Sequence, residues 1–303
     1  MVLDLLKAYD PSEFNVLRIQ SARPEQALRP FVTSFVQKDA ELGSIEVLEP
    51  VVARVGVTVE FKLAGQYQIR ICGSESRIPS NRISIVGPQT WRRVRKTLTG
   101  RIDSTTILFE PLGFHALFSM ETSQLANIST PGQALLGNSM LELYERLGNL
   151  ETFPERTALL NQYLLSRLKG ANEFDPAHRA IMRLTLSAHP ATIGSVALQS
   201  GLSVRQLERK CLAYAGVTPK MLARLTRFNR AIQMSRRTRL SWTEIAQETY
   251  YHDQMHMIRD FHTFAGEAPT KISRQIAPHH LINFCEGQIS QELEQSGAPS
   301  MSQ

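Results

Sequence analysis

Between residues 193 and 269 the sequence repeats itself. Ser203 matches Asp253, Leu207 matches Met257 and Arg209 matches Arg259; Cys211 matches Phe261, Gly216 matches Gly266 and Pro219 matches Pro269, each pair 50 positions apart. Just upstream, Ile193, Ala197 and Gly201 match Trp242, Ala246 and Tyr250 at a spacing of 49. The one-residue difference falls between Leu202 and Ser203 in the first copy and between Tyr251 and Asp253 in the second, where a turn is expected and an insertion disturbs least. A segment repeated in this way is one supersecondary unit used twice, so it must fold as a pair of similar units.

Each copy spells out the same local structure. A short helix carries a small Ala that lets another helix cross it closely, and a turn follows. A polar N-cap, Ser203 or Asp253, then starts a second helix. Ser203 with Gln206, and Ser241 with Glu244, have the spacing of capping boxes. Gly216 and Gly266 are placed to end the second helices, and Pro219 and Pro269 to open the next ones. Helix, tight turn and helix make a helix-turn-helix unit. A long helix over roughly 218–236 joins the two units and carries Arg224, Arg227, Arg230 and Arg236. In the first unit Leu207 and Cys211, at i and i+4, face the core and leave Arg205, Gln206, Glu208 and Arg209 outside. In the second, Met257 and Phe261 face inward and leave Gln254, Met255, His256 and Arg259.

Charge concentrates on the same segment. Residues 176–277 hold 15 Lys+Arg against 6 Asp+Glu, a net +9, whereas residues 1–175 are neutral and 278–303 carry −3. The whole-chain value of +6 hides this division. Such an excess, mostly Arg, points to a polyanion, because the guanidinium fork matches phosphates and guanine edges. Otherwise the composition is that of an ordinary globular protein of about two domains. Three dispersed cysteines, Cys72, Cys211 and Cys285, suit a reducing compartment. Neither a signal peptide nor an apolar run long enough for a membrane is visible, so the expected location is the cytoplasm.

The first half reads differently. Val55, Val57, Val59, Phe61 and Leu63 alternate with Gly56, Thr58, Glu60 and Lys62, the pattern of a strand with one buried and one wet face. Short apolar runs at 67–72, 82–87 and 105–111, separated by Gly and Pro, suggest an antiparallel sandwich or barrel. The period then changes: 139–148 and 153–168 read as helices with a leucine stripe, which is either core or a dimer face. Residues 169–176 read as a linker and the tail after 277 as polar and irregular. The basic run at 91–96, WRRVRK, is expected to be a solvated hairpin face with Trp91 partly packed; an acidic effector or extra DNA contacts are the sharper alternative. His252 and His256 lack a third partner for a metal, and His115 has no histidine partner at strand spacing, so neither a metal nor a cofactor is expected.

The run from Ala197 through Gly201, Leu202, Ser203, Arg205, Leu207, Glu208, Arg209, Lys210 and Cys211 to Gly216–Lys220, followed by Ile245-Ala246, Asp253-Gln254, His256, Arg259-Asp260-Phe261 and Gly266–Pro269, resembles the AraC/XylS transcriptional regulators. The resemblance spans 177–277 and implies a seven-helix domain whose two recognition helices enter successive major-groove segments of DNA. More loosely, the first half is similar to the cupin-like sensor barrels of that family. The implied fold is α+β: a β-rich cupin-like barrel or sandwich with following helices, then an all-α domain with two helix-turn-helix units. The implied domains are 1–170, regulatory, 177–277, DNA-binding, and 278–303, a tail. Arg205, Glu208 and Arg209, then Gln254, Met255 and His256, are the base-edge candidates; Arg209 and Arg259 could instead form intradomain ion pairs or phosphate contacts. The linker-helix arginines, Arg224 and Arg227 among them, would touch phosphates or lie in solvent. The implied partners are promoter DNA, RNA polymerase, a small-molecule effector at the N-terminal domain and a second copy of the chain, with no catalytic residues. The alternative is an enzyme whose cupin-like domain is fused to a DNA-binding module, which requires Glu49, Glu60 or His115 to meet other titratable groups in a cavity. Three positions depart from the family pattern: Tyr250 stands where Gly is usual, Ile272 where Tyr is frequent and Cys211 where Phe is frequent.

Overall fold

The computed structural model describes residues 17–65, 68–71, 77–91, 94–168, 175–186 and 191–275. Its N-terminal part holds the strands β1 (Leu17–Ala22), β2 (Val32–Glu41), β3 (Val47–Pro50), β4 (Thr58–Ala64), β5 (Gln68–Ile71), β6 (Arg77–Pro79), β7 (Ile83–Val86), β8 (Val94–Leu98), β9 (Arg101–Phe109) and β10 (Ser129–Pro131). They form two antiparallel sheets, one in the order β1-β2-β9-β4-β7-β10 and one in the order β3-β8-β5-β6. The helices α1 (Gly113–Phe118), α2 (Gly132–Leu136), α3 (Ser139–Gly148) and α4 (Phe153–Leu168) follow. The leucine stripe is core: Leu143, Leu147, Leu159, Leu160 and Leu164 pack in one buried cluster with Val59, Phe61 and Ile107 of the larger sheet.

The alternation along β4 is real, but its second face is not wet. Glu60 and Lys62 are each only 4% exposed. The apolar residues of β4 face the helices, and the polar ones face a cavity between the two sheets. The expectation of a solvated face is therefore corrected: period two reports which side chains are polar, and closure of a second sheet decides whether they meet water.

The C-terminal part is helical, with α5 (Pro176–Leu186), α6 (Ile193–Gln199), α7 (Val204–Ala215), α8 (Pro219–Arg237), α9 (Trp242–Glu248), α10 (Gln254–Ala265) and α11 (Pro269–Gln275). These seven elements match the helix count the resemblance implies. Their core is centred on Phe228, Phe261, Phe264 and Leu207, and it also takes in Val52, Ala53, Val55 and Leu112 from the N-terminal half. The linker expected at 169–176 lies outside the described residues up to 174; its end, Asp175, is bound to α7 by Tyr214 and Lys210.

Candidate nucleic-acid interface

Both helix-turn-helix units form as the repeat requires. In the first, α6 and α7 are joined by a turn in which the N–H of Leu202 donates to the carbonyl of Ala197 at 2.9 Å. In the second, α9 and α10 are joined by the same bond, Tyr251 N–H to the Ala246 carbonyl at 2.8 Å. The shared bond places the extra residue, His252, after the turn. Capping boxes are present at Ser203–Gln206 and Ser241–Glu244, and Asp253 caps α10 through the His256 N–H. Gly216 and Gly266 close α7 and α10 in the left-handed conformation, at φ 72° and 75°. Tyr250 adopts the left-handed backbone of its counterpart Gly201, φ 57° against 66°. The departure from the family pattern has therefore left the turn intact and placed a side chain in a conformation that favours Gly.

On α7, Leu207 and Cys211 are fully buried, and burial pushes the Cys211 thiol up to about 12, so it is an inert core group. Arg205, Gln206, Glu208 and Arg209 are exposed on the opposite face. On α10, Met257 and Phe261 are buried, Gln254, Met255 and Arg259 are exposed and His256 is half-buried. The candidates nevertheless differ in freedom. Arg205, Glu208, Arg209, Met255 and Arg259 make no side-chain hydrogen bond to a described residue, so neither Arg209 nor Arg259 forms an ion pair among them. Gln206 accepts from the Ser203 N–H at 2.8 Å, and Gln254 accepts from Thr243 Oγ1 at 3.0 Å. His256 stands edge-on to Tyr251, with centroids 5.4 Å apart.

The linker-helix arginines hold the second unit together. Arg224 donates to Asp260 Oδ1 at 2.5 Å and lies over the Phe264 ring, with Asp260 almost wholly buried. Arg227 donates to the Tyr250 carbonyl at 3.3 Å and lies over Tyr251. Arg224 and Arg227 thus brace the left-handed turn and the buried carboxylate of α10. Both guanidiniums are thus engaged inside the domain, and the Arg224 side chain keeps 30% of its surface exposed.

Three features had no sequence signal. First, the N-terminal half grips both recognition helices at their C-terminal turns, where helix carbonyls lack partners. Thr122 Oγ1 donates to the Ala213 carbonyl of α7 at 3.2 Å, and the Ala53 N–H donates to the Phe264 carbonyl of α10 at 2.7 Å. Second, His115 of α1 stacks on Tyr214 of α7 with centroids 4.0 Å apart, and His178 of α5 lies 4.4 Å from the same ring. Burial would push the Asp175 carboxyl beside them up, but bonds from His178 and Tyr214 outweigh it and hold it below the usual range.

Third, the cavity between the sheets has a volume of about 150 Å³ and is lined by Lys38, Lys62, Lys96, Arg54 and Glu60 among apolar residues such as Val36, Val52 and Leu108. Lys96, expected in a solvated basic run, lies 3.0 Å from Glu60. Arg92 and Arg93 lie outside the described residues, and Trp91 is 45% exposed. Lys62 donates to the Asn81 carbonyl at 2.6 Å and to Ser84 Oγ at 2.7 Å. Burial would raise Glu60, but Lys96, Lys62 and Lys38 bring it down to about 2. Burial lowers Lys62 to about 8, partly countered by Glu60. Among the described residues no group of three His, Cys, Asp or Glu could hold a metal ion, and no helix is long and apolar enough to cross a membrane.

Residues 196–275 match the family model described as "Helix-turn-helix domain". With two units in the order and spacing read from the repeat, the C-terminal third is a helix-turn-helix domain of the AraC/XylS type, and it supports a transcriptional regulator. No curated protein matches the sequence. Among solved structures, the chain is similar to ToxT from Vibrio cholerae O395, at 10% identity over 86% of this chain and 98% of that one, with a TM-score of 0.46. It is also similar to ToxT from Vibrio cholerae strain SCE256 in its unsaturated fatty acid-bound form, at 8% identity over 87% and 96%, with a TM-score of 0.47. The AraC-like transcriptional activator CuxR follows at 14% identity over 64% and 79%, with a TM-score of 0.29. Likeness this distant carries no information about target or ligand.

Proposed function

We propose that the protein is a sequence-specific DNA-binding transcriptional regulator whose two recognition helices read adjacent major-groove segments and whose N-terminal domain, residues 1–170, controls the DNA-binding domain, residues 177–277. The observation that carries this reading is the pair α7 and α10. Two copies of one unit each present an exposed face, Arg205, Glu208 and Arg209 in one and Met255 and Arg259 in the other, on the segment of net +9. Arginine can fork to guanine O6 and N7, and Met can touch a thymine methyl; a good bidentate pair contributes about 1–3 kcal/mol of discrimination. Gln206 and Gln254 use their amide oxygens internally and keep their Nε2 donors for a base edge.

The test is genome-wide mapping of bound DNA, followed by mobility-shift titration of enriched fragments. Enriched promoter fragments should bind better than random DNA, and log affinity should fall with log salt by about 0.9 per phosphate neutralised. Binding independent of salt, or no preference among fragments, would falsify the reading.

One observation bears on the enzyme alternative: Glu60 does meet Lys62, Lys96 and Ser84 in a cavity. These groups suit charge binding better than proton transfer. Glu60 is held ionised to about 2, which makes it a weak base, and Lys62 donates to Ser84 Oγ.

A further inference from the structure

The repeat separates what the fold requires from what one copy has added. The N-caps, the turn bond and the closing glycines occur in both units, so they serve the fold. Thr243 and Gln254 belong to the second unit alone. Their counterparts, 49 and 50 positions earlier, are Gly194 and Val204, and the first unit forms without them. In the second unit Thr243 Oγ1 donates to Gln254 Oε1 at 3.0 Å, which ties the first turn of α9 to the first residue of α10.

The position of Thr243 favours this bond. A threonine further along a helix turns its hydroxyl back on the carbonyl four residues earlier, as Thr226 does on Leu222 and Thr263 on Arg259, each at 2.9 Å. Thr243 is the second residue of α9, so no helical carbonyl lies one turn behind it. The carboxylates beside the pair are engaged at the caps: Glu244 accepts from the Ser241 N–H, and Asp253 accepts from the His256 N–H and faces His252 at 3.1 Å.

Gln254 opens a recognition helix, and the N-terminal residues of such a helix contact base edges. A glutamine that reads adenine needs both of its amide atoms, Oε1 to accept from N6 and Nε2 to donate to N7. With Oε1 drawn to Thr243, Nε2 leads, and it offers hydrogens and no acceptor. In the major groove guanine presents two acceptors, N7 and O6, whereas adenine sets the N6 donor beside its single acceptor N7.

We propose that Thr243 is a positioning residue that makes Gln254 a donor-only reader, so that the second recognition helix selects guanine over adenine at the base pair Gln254 meets. This rests on reading the chain as a DNA-binding regulator. It deepens that reading by assigning a base to Gln254 and the choice of base to a residue of the neighbouring helix.

The test is competitive mobility-shift measurement with the full chain, at one salt concentration, on an enriched fragment and its full set of single base-pair substitutions. Gln254→Ala identifies the pair, as the position at which base preference is lost. There the unmodified chain should bind guanine about fivefold more tightly than adenine, the discrimination of a single hydrogen bond. Thr243→Val keeps the shape and removes the hydroxyl. It should bring that ratio to about one or below, as adenine regains its bidentate partner, and leave the ratios at all other positions unchanged. Thr243→Ser keeps the hydroxyl and should retain the guanine preference. Thr243 and Gln254 are both exposed, so none of these substitutions disturbs the core.

A preference for adenine in the unmodified chain overturns the proposal, as does a ratio that Thr243→Val leaves unchanged or that Thr243→Ser fails to keep. An even loss over all fragments in Thr243→Val also overturns it, since that is the mark of a phosphate contact. Base preferences that survive Gln254→Ala at every position refute the inference and leave the regulatory reading standing. A chain with no preference among fragments refutes the regulatory reading itself, and the inference falls with it.

Discussion

Tyr250 offers a test of the repeat at the level of a single dihedral angle. Its φ of 57° lies in the left-handed region, as does that of Gly201 in the first copy, at 66°. An L-residue with a side chain pays roughly 1–2 kcal/mol there. At an ordinary position Ala instead outperforms Gly by about 0.5–1 kcal/mol, because Gly loses more backbone freedom. Tyr250→Gly and Tyr250→Ala delete the same ring and leave the same carbonyl for Arg227, so side-chain contacts cancel between them. What remains is the left-handed cost less the entropy of Gly, so Tyr250→Gly should be the more stable by about 0.5–1 kcal/mol. That sign is opposite to the usual one. The reverse substitution in the first copy, Gly201→Ala, should cost about as much, since a Cβ there would meet nothing within 4 Å and backbone strain acts alone. Urea denaturation followed by circular dichroism measures all three. If Tyr250→Ala matches or exceeds Tyr250→Gly, the second turn does not share the backbone of the first and the structural equivalence of the repeats fails.

Gly216→Ala should cost more than Gly201→Ala, because it adds contacts of 2.7 Å with Pro88 Cγ and 2.8 Å with the Thr122 carbonyl to a similar φ; amide exchange should show the excess as loosening of α7 from the N-terminal half. Asp260→Ala should destabilise by about 3 kcal/mol in the same denaturation assay, since it strips the buried partner from Arg224. For DNA, Arg209→Ala should change the ranking of bound fragments, whereas Arg224→Ala should lower stability and leave the salt slope unchanged; a shallower slope in Arg224→Ala would return that residue to the phosphates. Two carboxyls set opposite pH limbs. Asp175 is held low in the folded state, so its contribution is present above its ordinary value of 3.8 and is lost as pH falls below it, and Asp175→Asn should flatten the acid limb of a melting profile. Glu110 is raised by burial to about 7 despite a bond from Thr33, so its contribution is present below 4.5 and is lost as pH rises through 7. Glu110→Gln should flatten that loss, of order 3 kcal/mol between pH 4.5 and 7.

The C-terminal fold was legible because its determinants are local. N-caps, capping boxes, C-terminal glycines and the i, i+4 spacing of Leu207 with Cys211 act within one or two turns, and the repeat states each of them twice. The exposed faces of α7 and α10 follow from that spacing, and Arg205, Glu208 and Arg209 are exposed as expected. What failed is what depends on distant partners. Arg224 looks like a surface cation until α10 brings Asp260 against it, 36 residues away. His115 and Tyr214 are likewise isolated in sequence and stacked in space.

The N-terminal half shows the same limit in its functional residues. Thr58, Glu60 and Lys62 alternate with apolar neighbours as a solvated strand face would, and Lys96 stands in a run of charges that reads as surface. Whether such residues meet water is decided by the second sheet, whose β8 carries Lys96 across the gap to Glu60. Alternation encodes two chemically different faces and is silent on what covers the polar one. Sheet closure gives the polar face its use. Charges that would be screened at a surface are held in a small, largely apolar space, where burial lowers Lys62 and three lysines lower Glu60. The segment bearing Arg54 has its side chain in that space and, one residue earlier, an N–H on α10.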